Sequence, residues 1–172
     1  MMTPRAEKAL SEWRAVNSKL ILANLKSRQC NMSIIVCYAP TNDSPEEKKE
    51  EYYEEIRSVI DEIPERDMKI VIGDFNAKVG RNNQGIENVM GVEVVGEVAS
   101  ENGAPFISFC STNNLVIGGT LSSTRASTNI RGRHHVVSKI KACYITSKNA
   151  STKLSIRKYS LMNIEVGIFN VF

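Results

Sequence analysis

Met68-Lys69-Ile70-Val71-Ile72-Gly73-Asp74-Phe75-Asn76-Ala77-Lys78-Val79-Gly80 is the stretch on which the fold turns. Ile70, Val71 and Ile72 form an unbroken apolar run, and successive strand residues point to opposite faces, so such a run is expected where both faces of a sheet are covered. Gly73 ends the run, and a carboxylate and an amide follow at once. Open α/β sheets place ligands at the carboxyl ends of their strands, so ionisable residues emerging there are candidates for chemistry. Asp74 and Asn76 stand two apart, the spacing at which extended residues face the same way. Facing one ligand, the carboxylate orients or deprotonates a water and the amide donates to a phosphoryl oxygen, as hydrolysis of a phosphodiester requires. The same Asp-x-Asn step has a plainer reading as a turn in which Asx side chains bond the local backbone.

On the N-terminal side, Lys19–Lys26 and Asn31–Pro40 are aliphatic and β-branched segments separated by the polar break Ser27–Asn31, and they read as two strands. Pro40 and the following Thr41-Asn42-Asp43-Ser44-Pro45 stop the second. Ser44 with Glu47 three residues on predicts a capping box, with Pro45 at the first helical position. Tyr52, Ile56, Val59, Ile60 and Ile63 then share one face of a 3.6-residue period, and Glu and Lys residues take the other. That pattern predicts an amphipathic helix covering a sheet. Tyr38-Ala39-Pro40-Thr41 closes the second strand with a phenol whose hydroxyl can donate to a phosphate at the same sheet edge; the alternative is a packing residue with its hydroxyl in water.

On the C-terminal side, Gly80–Glu97 is rich in Gly and Asn, lacks a helical period and reads as a long surface loop with a short strand pair. Glu101-Asn102-Gly103 precedes a second helix in which Phe106, Phe109, Cys110 and Asn113 share a face, and Leu115–Gly119 forms a short strand. Strand, helix, strand, loop, helix, strand is an α/β order. Beyond Thr120 the chain becomes Ser-, Thr- and Arg-rich, which divides it into 1–121 and a divergent basic segment 122–172, the remnant of a last strand.

The 172 residues, 42% hydrophobic and 24% charged, suit one soluble globular domain and exclude collagen, coiled-coil and wholly disordered classes. No stretch has the roughly 20 apolar residues of a membrane span, and the charged N-terminal residues do not form a signal peptide. An intracellular protein, cytoplasmic or nuclear, is expected. Cys30, Cys37, Cys110 and Cys143 make no CxxC pair, so buried reduced thiols are expected rather than zinc or disulfides. Net charge is +3 but uneven: eleven acidic residues face four basic ones from Asp43 to Asp67, and nine basic residues face the single acid Glu165 from Ser123 to Phe172. The basic tail is either solvated surface or an attractor of phosphate backbone.

Together, the CYAPTN stretch (Cys37–Asn42), the helix behind it and IVIGDFNAKVG at this spacing strongly resemble the endonuclease/exonuclease/phosphatase superfamily. Further along, MGVEVVGE and ENGAPFISFCSTNNLVIGGT make the chain similar to the craniofacial development protein 2-like branch, related to endonuclease domains of non-LTR retrotransposons. The resemblance runs from about Trp13 to Leu121. It implies a four-layer α/β sandwich, two packed mixed sheets flanked by helices, incomplete in this chain, and cleavage of phosphodiester bonds with Mg²⁺. It further implies that Asp74 orients or activates the attacking water and is a metal carboxylate, that Asn76 holds water and phosphate, and that Tyr38 contacts the scissile phosphate.

The chain also departs from the family. The family's Asn-bearing strand and metal-binding Glu precede the first matched strand, and this chain is expected to begin too late for either. Arg133-His134-His135-Val136-Val137 resembles the final Ser-Asp-His segment, which makes His134 the counterpart of the catalytic histidine; Arg133 stands where Asp is expected and cannot orient an imidazole as a carboxylate does. Two histidines on an exposed basic strand is the alternative. These departures imply a truncated Mg²⁺-dependent, DNA endonuclease-like phosphodiesterase domain, a catalytically inactive retrotransposon-derived relic. The competing readings are a residually active nuclease that recruits Glu87, Glu93 or Glu101 as metal ligands, and a module that binds nucleic acid, DNA included, through the basic tail.

Overall fold

A computed structural model describes residues 4–28, 30–94, 98–121 and 142–145. In chain order the elements are helix α1 (Pro4–Ala9), strands β1 (Leu10–Asn17), β2 (Leu20–Leu25) and β3 (Met32–Tyr38), helix α2 (Glu46–Glu62), strand β4 (Met68–Asp74), helix α3 (Gly103–Thr112), strand β5 (Leu115–Val116), a 3-10 turn over Gly118–Thr120, and strand β6 (Ala142–Ile145). The six strands form one mixed sheet in the order β1-β2-β3-β4-β6-β5. β3 and β4 run parallel, as the α2 crossover between them demands, and every other neighbouring pair is antiparallel. The fold is therefore mixed α/β. The described residues supply one sheet, so the second sheet of a four-layer sandwich is not seen among them.

The alternation of strand residues builds the core. Leu20 and Leu22 of β2, Ile35 and Cys37 of β3, and Val71 of β4 point to one face, where Tyr52, Ile56, Val59, Ile60 and Ile63 from α2 and its end and Phe106, Phe109 and Cys110 of α3 cover them. Ile34, Ile70 and Ile72 point to the other face, and all three are buried. Burial on both sides is what the unbroken Ile70–Ile72 run predicts. The expected helical face of α2 is likewise the buried one, with Ile56 fully inaccessible.

Three expectations need correction. The Ser44–Glu47 capping box does not form: α2 starts at Glu46, after Pro45 at φ −53° and ψ 146°, with no side-chain cap. The proline pushes the residue before it out of the helical region, and Ser44 closes a turn instead, donating its backbone N–H to Thr41 O at 3.1 Å. Glu46 and Glu47 still complement the positive end of the helix. Second, β4 continues one residue past Gly73, to Asp74. Third, Leu10–Asn17, which reads as polar N-terminal sequence, is the edge strand β1; its pairing with β2 slips at Leu10/Glu12 and at Ala15/Asn17, which hides the two-residue period.

Within the expected Gly80–Glu97 loop, the stretch Val89–Gly91 is pinned to the β5 end of the sheet. Val89 O accepts from Ile117 N–H at 2.7 Å, Thr120 Oγ1 accepts from Gly91 N–H at 2.8 Å, and Met90 pairs with Ile117 as a single bridge. Val89 and Met90 thereby enter the core from the loop.

Candidate phosphate-facing strand edge

The parallel register places Tyr38 opposite Asp74, so the two sequence-predicted side chains leave the carboxyl ends of neighbouring strands side by side. Gly73 makes this approach possible. Its φ is +153°, and a Cβ there would stand 1.7 Å from Cys37 O, so no other residue fits between the strands without moving one of them. Ala39 N–H donates to Asp74 O at 2.8 Å and carries the pairing one residue further.

Past the strand ends the chain turns sharply. Asn76 adopts φ 46°, in the left-handed region that Asn tolerates, and its backbone N–H donates to Asp74 Oδ1 at 3.0 Å. Its side-chain Nδ2 donates to Ala39 O at 2.8 Å. The structure shows the turn reading of the Asp-x-Asn step: Asn76 leaves the extended conformation, and the Asp74 and Asn76 side chains both bond backbone at the carboxyl end of the sheet. Phe75 between them is fully buried and stacks on Phe106, ring centroids 4.5 Å apart, which anchors the turn to α3. Tyr38 is 54% exposed, so its ring is not a core packing residue.

Asn102 is the residue that sequence reasoning missed. It is 4% exposed, and its Nδ2 donates to Pro40 O at 3.1 Å and to Asn76 O at 3.3 Å, joining the loop after β3 to the loop after β4. The signal was an Asn-Gly pair at a helix start, where an Asn is expected to cap. It makes no side-chain cap, because its amide reaches away from the helix.

Burial pushes the Cys37 thiol, beneath this edge, up to about 12 despite a hydrogen bond with Tyr52 that opposes the shift. Cys37 and Cys110 are buried and Cys30 is partly buried, and none of the three is in a disulfide. No group of three or more His, Cys, Asp or Glu side chains that could hold a metal occurs among the described residues. Mg²⁺ asks for an octahedron of oxygens; at this edge Asp74 is the only candidate ligand named from the sequence, and one of its oxygens already accepts from Asn76. Glu87, Glu93 and Glu101 are exposed loop residues outside any such group, and Glu87 Oε1 accepts from Gly85 N–H at 3.0 Å, which lowers its pKa. The donor set among the described residues does not fit Mg²⁺. His134 lies outside the described residues, as does nearly all of 122–172.

No family model matches the chain. Over 121 residues, 70% of its length, it is 31% identical to craniofacial development protein 2 of Bos taurus, and it matches the protein of that name from Tragulus javanicus equally well. The chain is a homologue of craniofacial development protein 2. It spans about a fifth of the length of these curated relatives. Among solved structures it is similar to the endonuclease domain of TRAS1, a telomere-specific non-LTR retrotransposon, with a TM-score of 0.48 and 17% identity over 85% of this chain and 52% of that one. It is also similar to an endonuclease/exonuclease/phosphatase family protein from Leptotrichia buccalis, with a TM-score of 0.40 and 12% identity over 73% of this chain and 40% of that one. No helix among the described residues is long and apolar enough to cross a membrane.

Proposed function

We propose that this chain is a phosphodiesterase-type, DNA endonuclease-like domain of retrotransposon descent that keeps the phosphate-facing edge of the family and does not cleave DNA. The observation that carries this reading is the in-register pair Tyr38 and Asp74 at the ends of two parallel strands, with no metal-holding group of side chains around it among the described residues. The exposed Tyr38 hydroxyl donates to a phosphate oxygen arriving at the edge. The Asp74 carboxylate orients a water beside it, and the turn at Asn76 fixes where that carboxylate points. What the described residues do not supply is a group of side chains to hold Mg²⁺, the ion that in metal-dependent hydrolysis receives the charge building on the phosphoryl oxygens. Without it the edge positions a phosphodiester and leaves the bond intact.

The test is incubation of the purified protein with supercoiled plasmid and with an abasic-site duplex, in Mg²⁺ and in EDTA, beside Asp74→Ala. The expected result is no nicking above the EDTA control. Mg²⁺-dependent nicking that disappears in Asp74→Ala would overturn the proposal.

A further inference from the structure

We infer that Asn102 is the positioning residue that fixes Tyr38 against Asp74, an assignment that rests on reading this strand edge as the ligand-facing one. Tyr38 and Asp74 are the last paired residues of two parallel strands, and among the described residues four bonds tie the loops just beyond them. Ala39 N–H donates to Asp74 O, Asn76 Nδ2 donates to Ala39 O, and Asn102 Nδ2 donates to both Pro40 O and Asn76 O. Pro40 has no N–H, so its carbonyl is the one main-chain handle by which the residue after Ala39 can be held.

The orientation of the Asn102 amide follows from chemistry. Pro40 O and Asn76 O are both acceptors, so only the nitrogen can face them. Its Oδ1 is consequently buried with no hydrogen-bond partner among the described residues, a state that buried polar atoms rarely occupy. The side chain is placed for its two donations at the expense of its acceptor. The backbone around it is equally constrained: Ser100 N–H donates to Lys78 O at 3.0 Å, Lys78 N–H donates to Ser100 Oγ at 2.9 Å, and a Cβ on Gly103 would stand 2.2 Å from Lys78 O. The start of α3 thus clamps the loop after Asn76, and Asn102 carries that clamp across to the loop after Tyr38.

Asn102→Leu keeps the shape and removes both donors. In this variant the amides of Asn76 and Ala39 are expected to exchange with solvent at least about tenfold faster, while those of Ile35 and Val71 in the strand interiors keep their rates. Acceleration at all four positions alike, as a packing role gives, overturns the inference, and so does no change at any. If the variant fails to fold, the wild-type protein decides: slowly exchanging Asn102 Nδ2 protons with nuclear Overhauser contacts to Pro40 and Asn76 support the assignment, and rapidly exchanging ones overturn it. Binding of a labelled abasic duplex is measured in parallel and is expected to weaken in Asn102→Leu. A wild-type chain that never binds the duplex, while the exchange pattern holds, removes the phosphate-edge reading and leaves the register role of Asn102 in place.

Discussion

The two ends of the β3–β4 pair are built on opposite principles. At the carboxyl end, short Asx side chains bond main-chain carbonyls and amides across the loops, and buried Phe75 and Asn102 hold the turn in one geometry. At the amino end, the strands open onto a cleft of about 360 Å³ lined by long charged residues such as Glu12, Arg14 and Glu62. Its floor is a buried serine, Ser33, whose hydroxyl donates to Asn24 Oδ1 at 2.8 Å, and its flank is the exposed ion pair between Arg14 and Glu62. Short side chains tied to backbone lose little entropy and fix direction, whereas long exposed ones stay mobile and hold water. Pre-organisation therefore resides at the Tyr38–Asp74 end, and the cleft end is the more solvated of the two.

The comparison is broken most severely by removing the close approach on which the first end depends. Gly73→Ala sets a Cβ against Cys37 O and strains a φ of +153°, so the strands must separate. A loss of more than about 3 kcal/mol is expected in urea denaturation, in the range of severe single substitutions. Gly119→Ala meets no atom within 4 Å and serves as the control, within about 0.5 kcal/mol of wild type as surface substitutions usually are. A Gly73→Ala protein as stable as that control would show that the strand ends are looser than the register implies.

Legibility in the sequence follows the same division. β2, β3, β4 and the buried face of α2 are readable because each is a run of apolar residues at a clean period, and burial on both faces of Ile70–Ile72 follows from the run itself. The Asp74–Asn76 turn is readable as a pair of alternatives, since a strand-terminal Asp-x-Asn carries both the turn signal and the chemical one. β1 escapes because slips in its pairing scramble the alternation and leave Trp13 exposed. The α2 start is misplaced because Ser44-Pro45 obeys two rules at once, and the restriction on the residue before a proline overrides the capping preference. Asn102 escapes for a different reason: its partners, Pro40 and Asn76, lie 62 and 26 residues away, and no local pattern encodes a contact at that distance.

A smaller effect sharpens the contrast through pH. Cys37 lies under the ordered end with its pKa raised from the ordinary value near 9 to about 12 by burial. Between those values the unfolded chain releases the thiol proton and the folded chain keeps it, so unfolding gains free energy as pH rises. The contribution of Cys37 is fully present below about pH 9 and is lost across the window up to about 12. Stability is expected to fall there by on the order of 1 kcal/mol per pH unit from this group, over and above the titration of exposed groups. Cys37→Ala, less stable at neutral pH because it leaves a cavity, removes that component of the slope. Parallel pH profiles for the two proteins would mean that the thiol is hydrated and the edge above it less tightly closed.

The smallest effect belongs to the other end. Arg14 and Glu62 join β1 to the last turn of α2 across 48 residues of sequence, a contact that looks like a tether between sheet and helix. Their side chains are 40% and 57% exposed, and holding two long side chains in one pose in water costs about as much as the attraction returns. A double-mutant cycle with Arg14→Ala and Glu62→Ala is expected to give a coupling of at most about 1 kcal/mol, shrinking further at about 1 M salt, where the screening length is roughly 3 Å. A salt-insensitive coupling above about 2 kcal/mol would mean that β1 is fastened by charge rather than by its pairing with β2. The cleft end would then be as organised as the Tyr38–Asp74 end, and the division between a fixed edge and a solvated one would fail.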